Sequence, residues 1–285
     1  MIKRMQIGAR KAVKAVARKA RARRSASAMK PEYLAELERM RLMDDTFMSK
    51  CLENAPECIE LILRVILGKE DLKVVKSQTE YPIKNLQGRG VRFDVFARDS
   101  RDREYDIKIQ RAKDGAEPRR ARYNSALMDA NALKSGEDFG KLRDTYVIFI
   151  TETDVMKRGQ GMYVFDRMDR TSGLDFGDGA HVVYANGTWR GNDDLGRLMH
   201  DFNCSDPSDM NFDVLSKQVY KFKNSEEGRR EMCEAMERIE ARGKRETMLA
   251  TAKRMLKDGV LALKDIARYS GLTLAQVKKL QAEMA

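Results

Sequence analysis

Two short runs in which apolar and polar residues alternate constrain the fold of this chain more than any other feature. Apolar residues fall at every second position of residues 91–97, and the alternation returns in residues 105–110 after the polar segment 98–104. Period-two alternation is typical of strands with one buried face. These runs therefore predict the two strands of an antiparallel hairpin.

Helical and further strand patterns surround the hairpin. Apolar spacing predicts helices within residues 30–68 and 117–134, whereas residues 146–150 are apolar throughout and indicate a buried central strand. Shorter elements follow, namely strands at residues 162–165 and 181–185 and helices beyond Asp213. The order of helix, strands, helix and strands predicts an α/β or α+β fold.

The first helical region carries recognisable boundary residues. Asp44 or Asp45 can cap a helix that contains Phe47, and Pro56 suits the first position of the next helix, which runs to Gly68. Asp45 could instead supply an acidic metal ligand. Capping is the commoner role of an aspartate in this position, so we expect a cap.

The net charge of +11 is concentrated in one segment. Residues 1–28 contain ten basic residues and no acidic residue, whereas the remaining chain carries 45 basic and 44 acidic side chains. This segment is typical of a basic amphipathic helix that binds DNA, RNA or an anionic membrane. It also has the composition of an organelle transit peptide, and translation that begins at Met29 would omit it. The nearly neutral remainder gives no charge argument for nucleic-acid binding.

The sequence argues against several classes of protein. No apolar run approaches the roughly 20 residues that a membrane-spanning helix needs. The four cysteines form no Cys-x-x-Cys pair and the chain has two histidines, so neither a zinc ribbon nor a His-dependent catalytic centre is expected. We therefore expect a soluble, cytoplasmic protein with reduced thiols, in which His181 and His200 are structural.

Three segments are predicted along the chain. They are a basic extension at residues 1–28, a main domain at residues 29–225 and a helical segment at residues 226–285. The helical segment begins with a strongly charged stretch, which is typical of a solvated helix. No internal repeat is present.

The last helices of the chain resemble a helix-turn-helix. Breaks at Gly259 and Gly271 divide residues 246–285 into three helices. The residues that would shape the motif are Gly271 for the turn, Thr273 for the cap, and Val277 and Leu280 for the inward face. In this arrangement Lys278 and Lys279 would contact DNA phosphates. A helical hairpin used for dimerisation has the same apolar spacing, so this alternative stays open.

Four polar residues of the hairpin converge on one sheet face. Asp106, Lys108 and Gln110 alternate along the second strand, and Asp94 on the first strand can reach the same face. A turn centred on Arg101 sets Asp94 opposite Lys108, whereas a two-residue shift would set Asp94 opposite Asp106. Two acidic groups could hold a divalent cation beside a lysine that positions water or phosphate. A polar sheet face with an Asp94–Lys108 salt bridge explains the same spacing.

The hairpin resembles the core of the PD-(D/E)xK nuclease superfamily in its two runs, Val91-Arg-Phe-Asp-Val-Phe-Ala and Tyr105-Asp-Ile-Lys-Ile-Gln-Arg. It is particularly similar to the Rpn-type recombination-promoting nucleases, also called PD-(D/E)xK family transposases. The similarity covers roughly residues 30–225 and includes Ala121-Arg-Tyr-Asn-Ser and Tyr146-Val-Ile-Phe-Ile-Thr-Glu. The resemblance implies a restriction-endonuclease-like α/β fold, with a mixed sheet flanked by helices. It also implies a hydrolase that cleaves DNA with Mg²⁺ or Mn²⁺.

One position departs from the pattern of this family. Its members usually carry Asp on the first strand and Glu-x-Gln on the second, but here Lys108 stands at the Glu position and Gln110 at the Gln position. Either Asp106 becomes the second metal ligand beside Asp94, or this protein has lost the ability to cleave DNA. The hairpin pairing favours loss, because the Lys108 ammonium opposite Asp94 would compete with the metal. In an active enzyme, Asp94 and Asp106 would bind the metal, and Lys108 and Gln110 would organise water or phosphate.

Other side chains of the main domain could contact nucleic acid. Arg119, Arg120 and Arg122 lie close together in the helix after the hairpin, where they could meet phosphates or form a solvated face. Three aromatic residues could stack on bases, although packing is the commoner role of isolated aromatics: Tyr105, Tyr123 and Trp189.

The first functional hypothesis is a metal-dependent DNA endonuclease linked to recombination or transposition, which is either active with Asp106 as second ligand or degenerate at its second acidic position. The alternative is a catalytically inactive DNA-binding or assembly protein on the same fold. A third hypothesis is an RNA- or membrane-associated protein directed by residues 1–28. A homodimer is compatible with each of them.

Overall fold

A computed structural model describes residues 30–83, 85, 88–111 and 115–284 of the chain. The predicted basic helix at residues 1–28 lies outside the described residues. The chain divides into two compact units, Met1–Met232 and Cys233–Ala285. Within the described residues, no helix is long and apolar enough to cross a membrane.

The first unit alternates helices and strands in the predicted order. Its elements are α1 (Pro31–Arg39), α2 (Asp45–Leu52), α3 (Pro56–Leu67), β1 (Val74–Ile83), β2 (Val91–Asp99), β3 (Glu104–Gln110), α4 (Pro118–Ala132), β4 (Thr145–Thr151), β5 (Met162–Phe165), β6 (Ala180–Asn186), α5 (Asp194–Asn203) and α6 (Asp213–Asn224), with short 3₁₀ turns at Phe139–Lys141 and Pro207–Asp209.

The six strands form one mixed sheet in the order β1-β2-β3-β4-β6-β5. The central strands β3, β4 and β6 are parallel, whereas β1, β2 and β5 pair antiparallel with their neighbours. Helices cover both faces of the sheet. The predicted α/β class, with a mixed sheet flanked by helices, is therefore confirmed.

The predicted hairpin and its register are correct. Strands β2 and β3 are antiparallel, and Phe96 pairs with Asp106 while Val95 pairs with Ile107, as a turn centred on Arg101 requires. The strict alternation of β2 is broken at one residue. Phe93 packs in the same apolar cluster as Phe96 instead of on the face of Val95.

Each face of the sheet buries its own apolar cluster. The larger cluster joins residues of α1, α2, α3, α5 and α6 to the β3 side chains Ile107 and Ile109. The smaller one packs Ala121 and Leu127 of α4 against Phe149 and other strand residues. Because side chains alternate along β3, the polar residues of this strand point to the α4 face.

Strand β1 was not predicted from the sequence. It lies at the edge of the sheet, pairs only with β2 among the described strands, and exposes several polar side chains along its length. An edge strand pairs on one side only and often carries charged or polar side chains, so its sequence lacks the period-two signal.

The boundaries of α2 and α3 test the predicted caps. Helix α3 begins at Pro56 and ends before Gly68, whose left-handed φ of 61° terminates it as predicted. Asp44 stands at the N-cap position of α2, but its carboxylate does not cap the helix. The carboxylate accepts a hydrogen bond from the Arg41 N–H at 2.7 Å and pairs with Arg111 instead. The predicted capping contact is therefore wrong.

The second unit contains the end of the long helix α7 (Glu226–Asp258) followed by α8 (Leu263–Ser270) and α9 (Leu274–Met284). These helices enclose a small apolar core: Ala252, Ile266, Leu272, Val277 and Leu280. The predicted breaks at Gly259 and Gly271 are present, and Gly271 has a left-handed φ of 76°.

The predicted cap of the last helix is confirmed, because the side chains of Thr273 and Gln276 each accept a hydrogen bond from the other residue's backbone N–H. The Thr273 hydroxyl accepts a hydrogen bond from the Gln276 N–H at 3.3 Å, and the Gln276 side chain accepts one from the Thr273 N–H at 2.8 Å. This exchange satisfies two N–H groups at the start of α9, as in a capping box. A three-helix unit with a capped last helix is the arrangement that a helix-turn-helix requires.

Candidate active site

A cleft of about 1060 Å³ opens between the hairpin strands and the start of α4. Its wall carries more basic than acidic side chains. The basic ones are Arg89, Arg92, Lys108, Arg111, Arg119 and Arg120, and the acidic ones are Asp45, Asp94 and Glu117. The cleft therefore has the charge that an anionic ligand needs.

Asp94 lies at the inner wall of this cleft. Its Oδ2 accepts a hydrogen bond from the Ile109 N–H at 2.9 Å, because β2 and β3 separate slightly here and the side chain bridges them. Its Oδ1 lies 3.5 Å from Nζ of Lys108. The side chain keeps 14% of its surface exposed, so the carboxylate reaches solvent in the cleft.

Lys108 occupies the centre of the site and is almost completely buried. Its Nζ donates a hydrogen bond to the Arg92 carbonyl oxygen at 2.6 Å and lies 3.9 Å from Oδ1 of Asp106. The ammonium also lies 5.5 Å from the centre of the Phe93 ring, within cation–π range. The displaced Phe93 therefore helps to enclose the lysine.

Asp106 is fully buried behind Lys108 and is absent from the cleft wall. Its Oδ2 accepts a hydrogen bond from Nδ2 of Asn124 at 2.8 Å, whereas its Oδ1 has no hydrogen-bond partner among the described residues. Burial raises the pKa of Asp106 to about 7, and the nearby Asp94 adds to this rise while Lys108 opposes it.

The residues present do not fit a divalent metal. Of the two predicted ligands only Asp94 faces the cleft, and the Lys108 ammonium lies within 4 Å of both carboxylates. A bound cation would meet this ammonium, and Mg²⁺ usually keeps several waters that the enclosed Asp106 cannot admit. Among the described residues, no group of three or more His, Cys, Asp and Glu could hold a metal ion.

Gln110 lies at the mouth of the site and links β3 to α4. Its Oε1 accepts a hydrogen bond from Nη1 of Arg120 at 3.2 Å, and the same nitrogen donates to the Gly115 carbonyl oxygen at 2.6 Å. Arg119 and Arg120 both line the cleft, but Arg122 lines a different cavity. The structure thus separates three arginines that the sequence groups together.

Ion pairs at the cleft mouth connect parts of the chain that are far apart in sequence. Arg111 lies 2.5 Å from Asp44 and 3.4 Å from Glu152, and Glu152 also pairs with Arg41 at 2.8 Å. Asp45 lies 3.5 Å from Arg92, so its carboxylate balances a cleft arginine. No pattern in the sequence predicts these long-range pairs.

Asn124 is the clearest residue that sequence reasoning missed. It is buried in α4 and its amide contacts Asp106 directly. The only signal was its place in the family-like fragment that begins at Ala121, since apolar spacing gives no reason to expect a polar residue at this position. Arg92 was likewise expected only as a strand residue.

The aromatic and histidine predictions have mixed outcomes. Tyr105 is fully buried and donates a hydrogen bond to Asp99, which rules out base stacking, whereas Tyr123 lies at the cleft wall. Trp189 packs partly against the large cluster. His181 stacks on Tyr146 and pairs with Asp166, and His200 contacts Asp201.

In the second unit, Lys278 and Lys279 are both exposed on α9. Nζ of Lys279 lies 3.9 Å from Glu283, one turn further along the helix. Both ammonium groups are therefore accessible to an external anion.

A mixed sheet flanked by helices, with Asp94, Asp106 and Lys108 close together at its hairpin, has the architecture of a restriction-endonuclease-like core. Residues 52–186 match the family model of the PD-(D/E)XK nuclease family transposases, so this part of the chain is similar to that family. The matched segment is shorter than the range over which we expected similarity to this family, roughly residues 30–225. No curated protein and no solved structure matches the chain.

Proposed function

We propose that this protein binds DNA in its basic cleft without cutting it, and that the Lys108 ammonium replaces the metal of its nuclease relatives. The family match over residues 52–186 supports a nuclease-type function at the level of the family. The observation that carries the proposal is the position of the Lys108 Nζ, 3.5 Å from Asp94 and 3.9 Å from Asp106. A buried ammonium already lies within 4 Å of both carboxylates, where a metal ion would have to bind.

The charge of the cleft supports binding of a nucleic-acid backbone. Arg119 and Arg120 lie in the first turn of α4, and Arg89 and Arg92 line the same cleft immediately before and at the start of β2. Arginines that flank a groove can contact phosphates along one strand without reading its sequence. Tyr123, at the same wall, offers an aromatic face to an unpaired base.

The central lysine places a fixed ammonium at the cleft floor, where it offsets the charge of Asp94. In a metal-dependent nuclease, the positive charge at the cleft floor is present only while the metal ion is bound. The ammonium of Lys108 is covalently attached and is held by the Arg92 carbonyl oxygen. DNA binding would therefore not depend on Mg²⁺, and no water would be activated for attack on the phosphate.

The second unit supplies a further DNA contact in this proposal. Its three helices and its reciprocal cap at Thr273 match a helix-turn-helix, in which α9 enters the major groove. Lys278 and Lys279 then contact backbone phosphates. Such a protein serves recombination or transposition by holding DNA in the cytoplasm. The alternative, in which α8 and α9 form a dimerisation hairpin, is separated from this proposal by the effect of Lys278 and Lys279 variants on DNA affinity.

A second candidate function is metal-dependent cleavage, and one observation favours it. The Oδ1 atom of Asp106 is buried without a hydrogen-bond partner among the described residues, which is costly for a carboxylate that has no ligand. If Lys108 swung out of the site, Asp94 and Asp106 could share a Mg²⁺ or Mn²⁺ ion. Asp106-Ile-Lys108 also fits the D-x-K pattern of the superfamily.

The two candidates are separated by cleavage and metal binding measured together. We expect native protein to leave supercoiled plasmid intact in Mg²⁺ and Mn²⁺, and to bind no Mn²⁺ in titration calorimetry. Lys108→Glu restores the family's acidic residue and should create Mn²⁺ binding, with Lys108→Gln as the uncharged control. Cleavage by native protein that Asp94→Ala abolishes would overturn the proposal in favour of the second candidate.

DNA binding is tested by fluorescence anisotropy of labelled duplex and single-stranded DNA, with and without EDTA. The proposal expects the same affinity in both conditions, because no metal takes part. A chain that begins at Met29 tests whether residues 1–28 contribute. If that truncation alone removed all binding to DNA, RNA and anionic vesicles, the tail hypothesis would replace the cleft hypothesis.

A further inference from the structure

A second cavity of about 320 Å³ lies on the α4 face of the sheet, and it is called the α4 cavity here. Its wall is mainly apolar and is completed by a few polar side chains: Met156, Phe165, Val182 and Tyr184 with Arg122 and Ser125. A volume of this size lies at the lower end of the range for small-molecule sites. Neither the family match nor the proposed function assigns a role to it.

One cation of the α4 cavity is left without a partner among the described residues. Arg167 of the wall pairs with Asp178, and Asp166 lies 2.6 Å from Nδ1 of His181. Arg122 is exposed and forms no recorded ion pair or hydrogen bond within the described part of the chain. The cavity therefore presents one unneutralised guanidinium, which favours an anionic group such as phosphate.

A largely buried serine also lines the α4 cavity. Ser125 is only 6% exposed, yet it contributes to the cavity wall. A serine in a helix can bond to the preceding turn, but a hydroxyl at a cavity wall can also bond to a group inside the cavity. Ser125 is therefore placed to bond to a polar group of a ligand.

The aromatic wall has one rigid and one accessible ring. Tyr184 donates a hydrogen bond to the Ala116 carbonyl oxygen at 2.9 Å and stacks on Phe149, so its ring is fixed. Phe165 meets the Tyr184 ring edge-on, with ring centres 6.0 Å apart, and remains 46% exposed. An accessible ring beside a fixed one is suited to stacking with a planar heterocycle.

The α4 cavity and the basic cleft share the start of α4 as a common wall. Pro118 lines the cavity, whereas its neighbours Glu117 and Arg119 line the cleft. The α4 cavity and the basic cleft are therefore neighbours at the first turn of α4.

We propose that the α4 cavity binds a nucleotide, with the base against Phe165, a polar group of the nucleotide on the Ser125 hydroxyl, and the phosphate at Arg122. The nucleotide comes either as a free monophosphate or as one residue of a bound DNA strand. This goes beyond the proposed function, because a free nucleotide can bind here whether or not the cleft holds DNA.

The test uses titration calorimetry of the full chain with the four nucleoside monophosphates, and with adenosine and inorganic phosphate as separate probes. We expect a monophosphate to bind more tightly than either part alone. Arg122→Gln and Phe165→Ala should each weaken binding at least about five-fold, a typical loss for a charge contact or a base stack. Arg242→Gln, an exposed arginine on α7, is the matched control and should bind as native protein does.

A second arm identifies the source of the nucleotide. Short oligonucleotides that carry 2-aminopurine report by fluorescence whether a strand base enters a stacking environment. A change that Phe165→Ala and Arg122→Gln remove, but Arg242→Gln retains, supports the strand source. Calorimetric binding with the same variant dependence but no fluorescence change supports the free nucleotide. If neither probe bound native protein at millimolar concentration, or all variants behaved alike, the proposal would be wrong.

Discussion

The Nζ atom of Lys108 lies 3.5 Å from Oδ1 of Asp94, and the two residues form an ion pair across the hairpin. The paired part of the hairpin ends at Val95 and Ile107, and the ion pair lies immediately beyond this end. An acidic residue at 108 would have placed two carboxylates together at the cleft floor. The lysine turns a potential metal-binding pair into a pair of opposite charges.

Replacement of Lys108 by methionine tests how strongly the buried ammonium holds the site together. Lys108→Met keeps most of the side-chain volume but leaves Asp94 and Asp106 without their shared cation. Removal of one partner from a buried ion pair costs about 3–5 kcal/mol of unfolding free energy. Urea denaturation measures this loss, and the exposed Lys141→Met should change stability by less than about 0.5 kcal/mol. Equal stability of the two variants would contradict the buried pair.

Asp106 should make stability depend on pH in a defined direction. Its pKa is raised to about 7 by burial, whereas an unfolded aspartate titrates near 4. Between these values the folded protein binds more protons than the unfolded chain, so this residue lowers stability as pH rises from about 4 to about 7.

Asp106→Asn should remove this contribution while it keeps a group that accepts the hydrogen bond from Asn124. We expect the variant to show a flatter pH profile over this range, and to be at least as stable as native protein at pH 8. Denaturation curves at several pH values make the comparison. The prediction would be contradicted if the stability of native protein rose between about pH 4 and about pH 7 and the variant lacked this rise. That result would show that Asp106 is charged and well paired in the folded protein.

The hairpin could be predicted in detail because the residues that determine it lie close together in the sequence. Alternation over residues 91–97 and 105–110 determines which side chains share a face, and the short turn leaves one pairing that places Phe96 opposite Asp106. The cross-strand position of Lys108 follows from these local facts. The family-like fragments strengthened the fold prediction, which the match over residues 52–186 bears out.

The depth of the site was not predictable, because it depends on a distant helix. Asp106 is buried because α4 covers it. Its hydrogen-bond partner Asn124 lies in α4, 18 positions further along the chain. Phe93 leaves its expected face to pack beside the lysine. Asp44 is diverted from capping by Arg111, which is 67 positions away. Spacing within one element carries no information about such contacts.

The cleft arginines should contribute to DNA affinity through phosphate contacts. Arg119→Ala and Arg120→Ala should each weaken binding to unrelated sequences equally, and should lower the slope of log K against log salt by about 1. Anisotropy titrations at several salt concentrations provide this slope. Arg170→Ala is the control, because Arg170 is exposed in the loop between β5 and β6, away from the cleft wall. A slope that stays unchanged in both cleft variants would place the DNA elsewhere.

The last prediction concerns the two exposed lysines of α9. If the second unit is a helix-turn-helix that holds DNA, a Lys278→Ala and Lys279→Ala double variant should lower the salt slope by about 2, one unit for each phosphate contact. The control is Arg242→Ala, at an exposed position of α7. If the unit is instead a dimerisation hairpin, the double variant keeps its DNA affinity, while deletion of residues 246–285 halves the mass in sedimentation. Because Val277 and Leu280 are buried within the unit, the two lysines can be changed without disturbing its core. A loss of affinity in the double variant therefore reports on the contact and not on folding.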